Sequence, residues 1–287
     1  MQAEQRAYLA ERANAIRRLT IEAIGTVGIG HIGGSLSIAE LLSVLYFEKM
    51  KIDPANPHKP ERDRLVLSKG HAGPALYAAL ALRGYFDESK LWTLNQPGTD
   101  LPSHCDMNRT PGVDMTAGSL GQGISCGVGM ALASRLRGYE SYVYAVIGDG
   151  ESQEGQVWEA SMAAAHFKLD HLIVFLDHNR LQIDGPVDAV MSLGNPAEKW
   201  RAFGFFVQEV DGHDVADISA AVERAKTASG RPSMIVLHTV KGKGVPFVEA
   251  AGAANHNMAI SSEQVGKALL SLSRERERSK EKANRGD

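Results

Sequence analysis

Short apolar segments alternate with longer segments of mixed polarity along this chain. Five of the short segments, bounded mostly by turn-forming residues, predict strands at 63–68, 142–147, 171–177, 205–210 and 233–239. The intervals between them are long enough for helices. Because parallel strands must be joined by crossover connections, this alternation predicts an α/β fold in which a parallel sheet is sandwiched by helices.

Particular residues indicate where two of the helices begin. Ser37-Ile38-Ala39-Glu40 has the pattern of a capping box, and we expect a helix from there to about Met50. Pro74 lies where proline is tolerated, in the first turn of a helix that runs through Leu82. Both predicted helices directly follow loops that contain glycine and histidine.

The length of the chain, 287 residues, allows one large core or two small ones. We expect a single domain over residues 1–260. Toward its end, the remaining segment 261–287 becomes rich in Arg, Lys and Glu. This composition predicts a charged tail that is either a solvated helix or disordered.

Charge and composition exclude several classes of function. The formal net charge is −3 and the basic residues are scattered, so the chain lacks the positive field that binds nucleic acid. No segment approaches the ~18 apolar residues that span a bilayer, and residues 1–18 contain no uninterrupted apolar stretch typical of a signal peptide. Cys105 and Cys126 show neither metal-ligand spacing nor a disulfide framework. We therefore expect a protein of the reducing cytoplasm, without nucleic-acid or membrane partners.

The strongest chemical signal follows two consecutive predicted strands. Gly148-Asp149-Gly150 ends one strand, and Asn179 follows the next. Side chains at the carboxyl ends of parallel strands meet where open α/β sheets bind ligands. A carboxylate and an amide oxygen suit Mg²⁺ or Ca²⁺, and the glycines let the backbone approach a diphosphate. Gly-Asp-Gly by itself is also a common turn.

A second glycine-rich segment, Gly118-Ser119-Leu120-Gly121-Gln122-Gly123, precedes a helix full of small residues. Several glycines in one helix imply close approach of its backbone to another element or to a ligand. The start of this helix could hold diphosphate oxygens. The alternative is close helix packing at a subunit interface, which is compatible with diphosphate binding.

Histidines form a third group of candidates. His31, His71 and His104 lie in predicted loops, the first two of them rich in glycine, and His256 is a fourth candidate late in the chain. Imidazole titrates near neutral pH and both donates and accepts hydrogen bonds, which suits it to sugar hydroxyls and to proton transfer. The alternative is that these histidines only brace their loops. The other six histidines have no such context.

Taken together, these motifs resemble the N-terminal half of transketolases over about residues 17–256. The matching segments, in order, are Gly30-His31, Ser68-Lys69-Gly70-His71-Ala72, 118–123, Gly148-Asp149-Gly150 with Glu154-Gly155, and 177–185. The resemblance implies the thiamine diphosphate-binding fold of the diphosphate-binding domain. It also implies the cofactor thiamine diphosphate, anchored by Mg²⁺ or in its place Ca²⁺ or Mn²⁺.

The resemblance assigns roles to individual residues. The implied metal ligands are Asp149, Asn179 and the carbonyl of Leu181. The implied cofactor-binding residues are His71, Gly118, Ser119, Leu120, Gly150 and Glu154, together with Asp149 and Asn179. The implied catalytic residues are His31, His71, His104 and His256, which would face the sugar donor, and Glu154, which would communicate between two cofactors across a subunit interface. Glu154 could instead be an ordinary first-turn glutamate that complements a helix dipole.

Transketolases also need a glutamate from a pyrimidine-binding domain, and the segment after His256 is too short for such a domain. The resemblance therefore implies that the partner is a C-terminal transketolase subunit, in a heterotetramer that transfers a two-carbon ketol unit between sugar phosphates. Two alternatives remain at this point. One is a 1-deoxyxylulose-phosphate synthase-like or 2-oxoacid dehydrogenase-like enzyme, which begins by decarboxylation, and the other is a non-catalytic cofactor-binding paralogue.

Overall fold

A computed structural model of the chain describes residues 1–285 as helices and strands around a central sheet. The α-helices are α1 (Ala3–Val27), α2 (Gly33–Leu36), α3 (Ala39–Val44), α4 (Gly73–Arg83), α5 (Gln122–Leu136), α6 (Gly155–His166), α7 (Val187–Val190), α8 (Pro196–Ala202), α9 (Val215–Lys226), α10 (Pro246–Ala250) and α11 (Ser262–Arg285). The strands are β1 (Ile29–Gly30), β2 (Arg64–Leu67), β3 (Val143–Gly148), β4 (Leu172–His178), β5 (Leu181–Gln182), β6 (Gly185–Pro186), β7 (Phe206–Asp211), β8 (Ser233–His238) and β9 (Met258–Ala259).

The central sheet has five parallel strands in the order β2-β3-β4-β8-β7. These are the five strands predicted from the sequence, each within one residue at either end, so the predicted α/β fold is confirmed. Two short antiparallel pairs, β1 with β9 and β5 with β6, lie outside this sheet. Because all five central strands run in one direction, their carboxyl ends lie along the same edge.

Helices cover both faces of the sheet, so alternate residues of each strand enter different apolar layers. On β4, Ile173 and Phe175 pack with the layer formed by α1, α3, α4 and α9. Val174 and Leu176 pack with the layer formed by α5, α6 and α8. This two-sided burial explains why β3, β4 and β8 are almost continuously apolar rather than alternating. None of the described helices is long and apolar enough to cross a membrane.

The predicted capping box at Ser37 is wrong. A short helix, α2, already ends there, and α3 begins at Ala39 without a side-chain cap. The Ser37 hydroxyl donates to Asp177, 2.7 Å away, and Glu40 is paired with Arg17. Long-range partners therefore take both side chains that the local motif would have used. The helical region does end as predicted, with a π-helical turn before Met50.

Two further predictions concern the start of α4 and the final segment of the chain. Pro74 occupies the first turn of α4, as predicted. The final segment forms α11, which packs along α1 with Ala268 and Leu272 buried in the core. The Asn14 side chain donates to the Leu272 carbonyl over 3.0 Å. A domain limit at residue 260 remains a prediction, and residues 286–287 of the predicted tail lie outside the described residues.

Candidate active site

Polar side chains converge at the carboxyl edge of the sheet, where open α/β sheets bind ligands. Lys69 follows β2, Asp149 follows β3, Asn179 follows β4 and Lys241 follows β8. These segments are neighbours because β2, β3, β4 and β8 are consecutive strands of the sheet. The parallel topology thus brings together groups that are far apart in the sequence.

The structure places the predicted metal ligands beside one another. Asp149 is 2% exposed. Its Oδ2 accepts from the backbone N–H of Arg180 over 2.5 Å, and its Oδ1 lies 2.6 Å from Nδ1 of His178. Asn179 Oδ1 accepts from the N–H of Leu181 over 3.1 Å. Each of these oxygens keeps a further lone pair for a cation. Asp149 and the 178–181 turn therefore form one local group of oxygen donors.

The turn that carries Asn179 is held from below by a buried carboxylate. Asp177 is 0% exposed and accepts from Lys69 Nζ over 2.5 Å and from the amide of Asn179 over 2.8 Å. Ser37 and Thr239 donate to the same carboxylate over 2.7 and 2.5 Å. Burial alone would raise the pKa of Asp177, but Lys69 and these donors hold that pKa below its ordinary value. Because its amide nitrogen is engaged by Asp177, Asn179 presents its oxygen on the other side.

The four predicted catalytic histidines form a cluster. The ring centroid of His31 lies 5.7 Å from that of His71 and 5.3 Å from those of His104 and His256. His71 and His256 are 4.7 Å apart. His71 packs so closely against Gly34 that this position requires glycine, because a Cβ on Gly34 would lie 2.8 Å from Nε2 of His71. Four separate segments of the chain thus contribute to one half-buried surface.

Burial keeps this histidine cluster uncharged. Burial lowers the pKa of His31 to about 4, and His104 and Lys241 add to the effect. Burial and Lys241 lower the pKa of His256 to about 3, and burial above all holds the pKa of His71 well below its ordinary value. These imidazoles are therefore neutral near pH 7. A neutral imidazole has one donor and one acceptor nitrogen, which suits it to sugar hydroxyls.

A buried lysine lies next to the cluster. Lys241 is 4% exposed, and its Nζ lies 3.1 Å from Nδ1 of His256. Burial and the nearby Lys69 lower the pKa of Lys241 to about 8, while Asp177 and Asp149 oppose that shift. With this pKa the ammonium is still mostly charged at pH 7, so it adds positive charge at the edge where an anion would bind.

The glycine-rich loop before α5 presents free backbone donors. Within the described residues, no protein group accepts a hydrogen bond from the N–H of Ser119 or Leu120. Gly118 and Ser119 are exposed, and Gly121 has a φ of +82°, which favours glycine. Unpaired N–H groups at the start of a helix are suited to phosphate oxygens.

Glu154 lies on the exposed surface at the start of α6. It is the residue just before the first helical residue, and its side chain makes no capping hydrogen bond. It packs under the glycine-rich loop, since a Cβ on Gly121 would lie 3.1 Å from the Cβ of Glu154. Its carboxylate is therefore open to a partner surface, and Glu154 is not a first-turn helix residue.

Sequence reasoning missed several residues of this site: Lys69, Glu151, Asp177, His178 and Lys241. Each lies at the end of a central strand or within three residues after it, and that position is the signal that could have identified it. Nothing but this position distinguishes His178 in the sequence, yet its Nδ1 lies 2.6 Å from Oδ1 of Asp149. Among residues 1–285, no three His, Cys, Asp or Glu side chains form a group that could hold a metal ion.

Comparison with known proteins agrees with this geometry. The family model described as "Transketolase, thiamine diphosphate binding domain" matches residues 9–278. The chain is 58% identical to the 6-deoxy-6-sulfo-D-fructose transketolase subunit of a Clostridium species, over 95% of this chain and 98% of that protein. It is 38% identical to an apulose-4-phosphate transketolase subunit of Phocaeicola vulgatus, over 94% of this chain and 95% of that one.

Solved transketolases share the fold. The Campylobacter jejuni transketolase superposes with a TM-score of 0.87 at 33% identity, over 93% of this chain but only 43% of that one. The match therefore covers less than half of a single-chain transketolase, whereas the two subunits named above match almost from end to end. These relatives favour transketolase over the decarboxylating and the non-catalytic alternatives. The chain belongs to the transketolase family, as the N-terminal, thiamine diphosphate-binding subunit of a split transketolase.

Proposed function

We propose that this subunit holds thiamine diphosphate through one divalent cation, Mg²⁺, bound by Asp149, Asn179 and the backbone carbonyl of Leu181. The observation that carries the proposal is the hydrogen-bonded contact between the Asp149 carboxylate and the 178–181 turn at the carboxyl edge of the sheet. One carboxylate, one amide oxygen and one carbonyl are the hard ligands that Mg²⁺ takes when phosphates complete its shell. Ca²⁺ or Mn²⁺ could occupy the same ligands.

The diphosphate would lie against the glycine-rich loop. The free N–H groups of Ser119 and Leu120 support this placement, and Gly118 and Gly150 leave room for close approach of the backbone. His71 would contact the cofactor from the histidine cluster. When bound, thiamine diphosphate supplies the carbon nucleophile of ketol transfer.

The neutral histidines would then act on the sugar. His31, His104 and His256 surround a half-buried surface beside the cofactor position and can exchange hydrogen bonds with donor hydroxyls. A neutral imidazole can also accept a proton from a hydroxyl as the adjacent carbon–carbon bond breaks. The ring centroids of His71 and His256 are 4.7 Å apart, so His71 borders the same surface.

We propose that the partner is a C-terminal subunit with a pyrimidine-binding domain, and that two copies of each chain form a heterotetramer. The exposed Glu154 carboxylate would lie at that interface and link the two cofactors. The relatives named as transketolase subunits support the two-chain arrangement. Both cysteines are free thiols, in keeping with the proposed cytoplasmic location.

The donor is proposed to be a ketose with an anionic end group, specifically 6-deoxy-6-sulfo-D-fructose. The support is the 58% identity to a subunit named for that substrate, against 38% for one named for apulose 4-phosphate. The test is steady-state assay of the assembled enzyme with 6-deoxy-6-sulfofructose, fructose 6-phosphate and apulose 4-phosphate, each with aldose phosphate acceptors and with pyruvate as control. A higher kcat/KM for either phosphate would refute the sulfonated donor, and turnover of pyruvate alone would refute ketol transfer.

The subunit by itself is expected to be inactive and to bind thiamine diphosphate weakly. Half of the cofactor site and the glutamate that activates the cofactor would lie on the partner chain. Activity should appear when the two purified subunits are mixed and should saturate at equal molar amounts. Robust ketol transfer by the purified subunit, with mass spectrometry excluding a co-purified partner, would contradict the two-chain proposal.

Replacing His31 or His104 with alanine should lower kcat and kcat/KM together by about 100-fold, a typical contribution of a proton-transfer or transition-state hydrogen bond. Thiamine diphosphate affinity should stay within about twofold, because neither side chain is proposed to touch the diphosphate. Kinetics, cofactor titration and thermal unfolding of the assembled variants measure these effects. His58→Ala, at an exposed histidine, is the control. A lower melting temperature with unchanged kinetics would mean that His31 and His104 only brace their loops.

A further inference from the structure

A buried carboxylate that has no assigned role lies directly behind the proposed diphosphate site. Glu151 follows Gly148-Asp149-Gly150 and is 2% exposed. Its Oε1 accepts from the Ser68 hydroxyl and from the N–H of Gly121, the latter over 3.0 Å. Its Oε2 accepts from the N–H of Gly148 over 3.1 Å. Three donors therefore converge on one carboxylate, with both oxygens used.

These donors belong to three separate segments of the site. Ser68 follows β2, Gly148 ends β3, and Gly121 lies in the glycine-rich loop that leads into α5. The Ser68 hydroxyl, which donates to Glu151, also accepts from the N–H of Ile124 over 3.2 Å. The approach is so close that a Cβ on Gly123 would lie 2.5 Å from Ser68 Oγ. Glu151 thus joins the loop and the first turn of α5 to two strand ends.

The same contacts divide the backbone N–H groups around the proposed diphosphate site into two sets. Glu151 takes the N–H of Gly121 and of Gly148, so neither is available to a ligand. The N–H groups of Ser119 and Leu120 have no acceptor among the described residues. The loop is therefore held from behind, while its front remains free to bind an anion.

Burial destabilises a charged carboxylate, and hydrogen bonds partly offset that effect here. Burial raises the pKa of Glu151, and the hydrogen bonds from Ser68, Gly121 and Gly148 oppose that shift. Lys69 also acts to lower the pKa of Glu151, although its ammonium is paired with Asp177. Holding the backbone of the loop in place accounts for a buried acid in this position.

We propose that Glu151 is a positioning residue for thiamine diphosphate, which fixes the 118–123 loop so that the N–H groups of Ser119 and Leu120 face the diphosphate. This inference rests on the proposed cofactor site. Glu151 is buried behind the loop, and the proposal gives it no contact with the cation or the sugar. It acts on binding of the diphosphate through the loop.

The test is Glu151→Gln in the assembled two-subunit enzyme. Glutamine keeps the size of the side chain but turns one acceptor into a donor, so at least one of the three donors must lose its partner. At fixed Mg²⁺, the thiamine diphosphate concentration for half-saturation should rise about 10-fold to 100-fold, the effect expected of one unsatisfied buried group. At saturating cofactor, kcat and donor KM should remain within about twofold.

Asp63→Asn is the matched control. Asp63 is also a buried carboxylate that accepts two backbone N–H groups, those of Lys51 over 2.9 Å and of Tyr142 over 2.8 Å, but at the opposite end of the same strands. This variant should lower the melting temperature and leave cofactor affinity unchanged. If Asp63→Asn weakens cofactor binding as much as Glu151→Gln does, Glu151 is only a general brace and the inference is overturned.

Two further variants separate the possible outcomes. Ser68→Ala removes one donor to Glu151 and leaves the net charge unchanged. It should weaken cofactor binding less than Glu151→Gln does. It tests the inference even if Glu151→Gln fails to assemble, and unchanged cofactor affinity in Ser68→Ala would then overturn it. Asp149→Ala reports on the metal site alone. Unchanged affinity in Asp149→Ala with a loss in Glu151→Gln would refute the metal ligands and retain Glu151.

Discussion

We expect the Asp149→Ala enzyme to lose thiamine diphosphate binding by more than about 100-fold, with Asn179→Ala close behind. Removing a group that only orients a metal ligand lowers metal affinity by about 10-fold to 100-fold, so the loss of a ligand itself should exceed that range. Asp149 is proposed as the charged ligand of the cation, and without it the two negatively charged phosphates would have no bridge to the protein. Calorimetric titration of the assembled enzyme with thiamine diphosphate, at fixed Mg²⁺, measures the effect.

The fold should survive this change, because Asp149 lies at the end of β3 and contributes to neither apolar layer. Asp217→Ala, which removes an exposed carboxylate from α9, is the control for the change in net charge. Its cofactor affinity should equal that of the unaltered enzyme. An Asp149→Ala enzyme that binds thiamine diphosphate normally, or that binds it equally well after removal of Mg²⁺ by a chelator, would show that the cation is held elsewhere.

Replacing Lys69 with methionine should cost the largest amount of stability, about 3–5 kcal/mol. Lys69 is 1% exposed and Asp177 is 0% exposed, and their side chains are 2.5 Å apart. Removal of the ammonium leaves a buried carboxylate without its counter-charge, and Gly34 also loses the donor to its carbonyl. Chemical unfolding of the assembled enzyme at one fixed protein concentration measures the loss, since subunit assembly makes apparent stability depend on concentration.

A surface pair provides the comparison for Lys69. Lys90 and Asp100 are 2.9 Å apart but about half exposed, at 46% and 50%. Lys90→Met should therefore change the free energy of unfolding by less than about 1 kcal/mol. The double variant Lys69→Met/Asp177→Asn should recover part of the loss, because no unpaired charge is left in the core. A cost for Lys69→Met no larger than that for Lys90→Met would contradict the burial of this pair.

The sequence by itself determined the sheet and the order of its strands along the chain. Continuous apolar runs between turn-forming residues are local features of the sequence. They are enough to predict strands that are buried on both faces. The same local logic located Asp149 and Asn179, because each immediately follows a buried strand. The start of α3 could not be located this way. Ser37 and Glu40 form a local capping pattern, but Asp177 and Arg17 compete for them from distant segments.

Only the tertiary structure decided which groups meet at the edge of the sheet. The strand order β2-β3-β4-β8-β7 places Lys241, late in the chain, close to His31, early in the chain. No local sequence pattern predicts that these two residues are neighbours. Burial then changes the chemistry, since it makes the histidines neutral and lowers the pKa of Lys241. Glu151 shows the same limit, because its three donors come from three segments. Residue types and their order are set locally, whereas partners, burial and charge state depend on contacts that exist only in the folded chain.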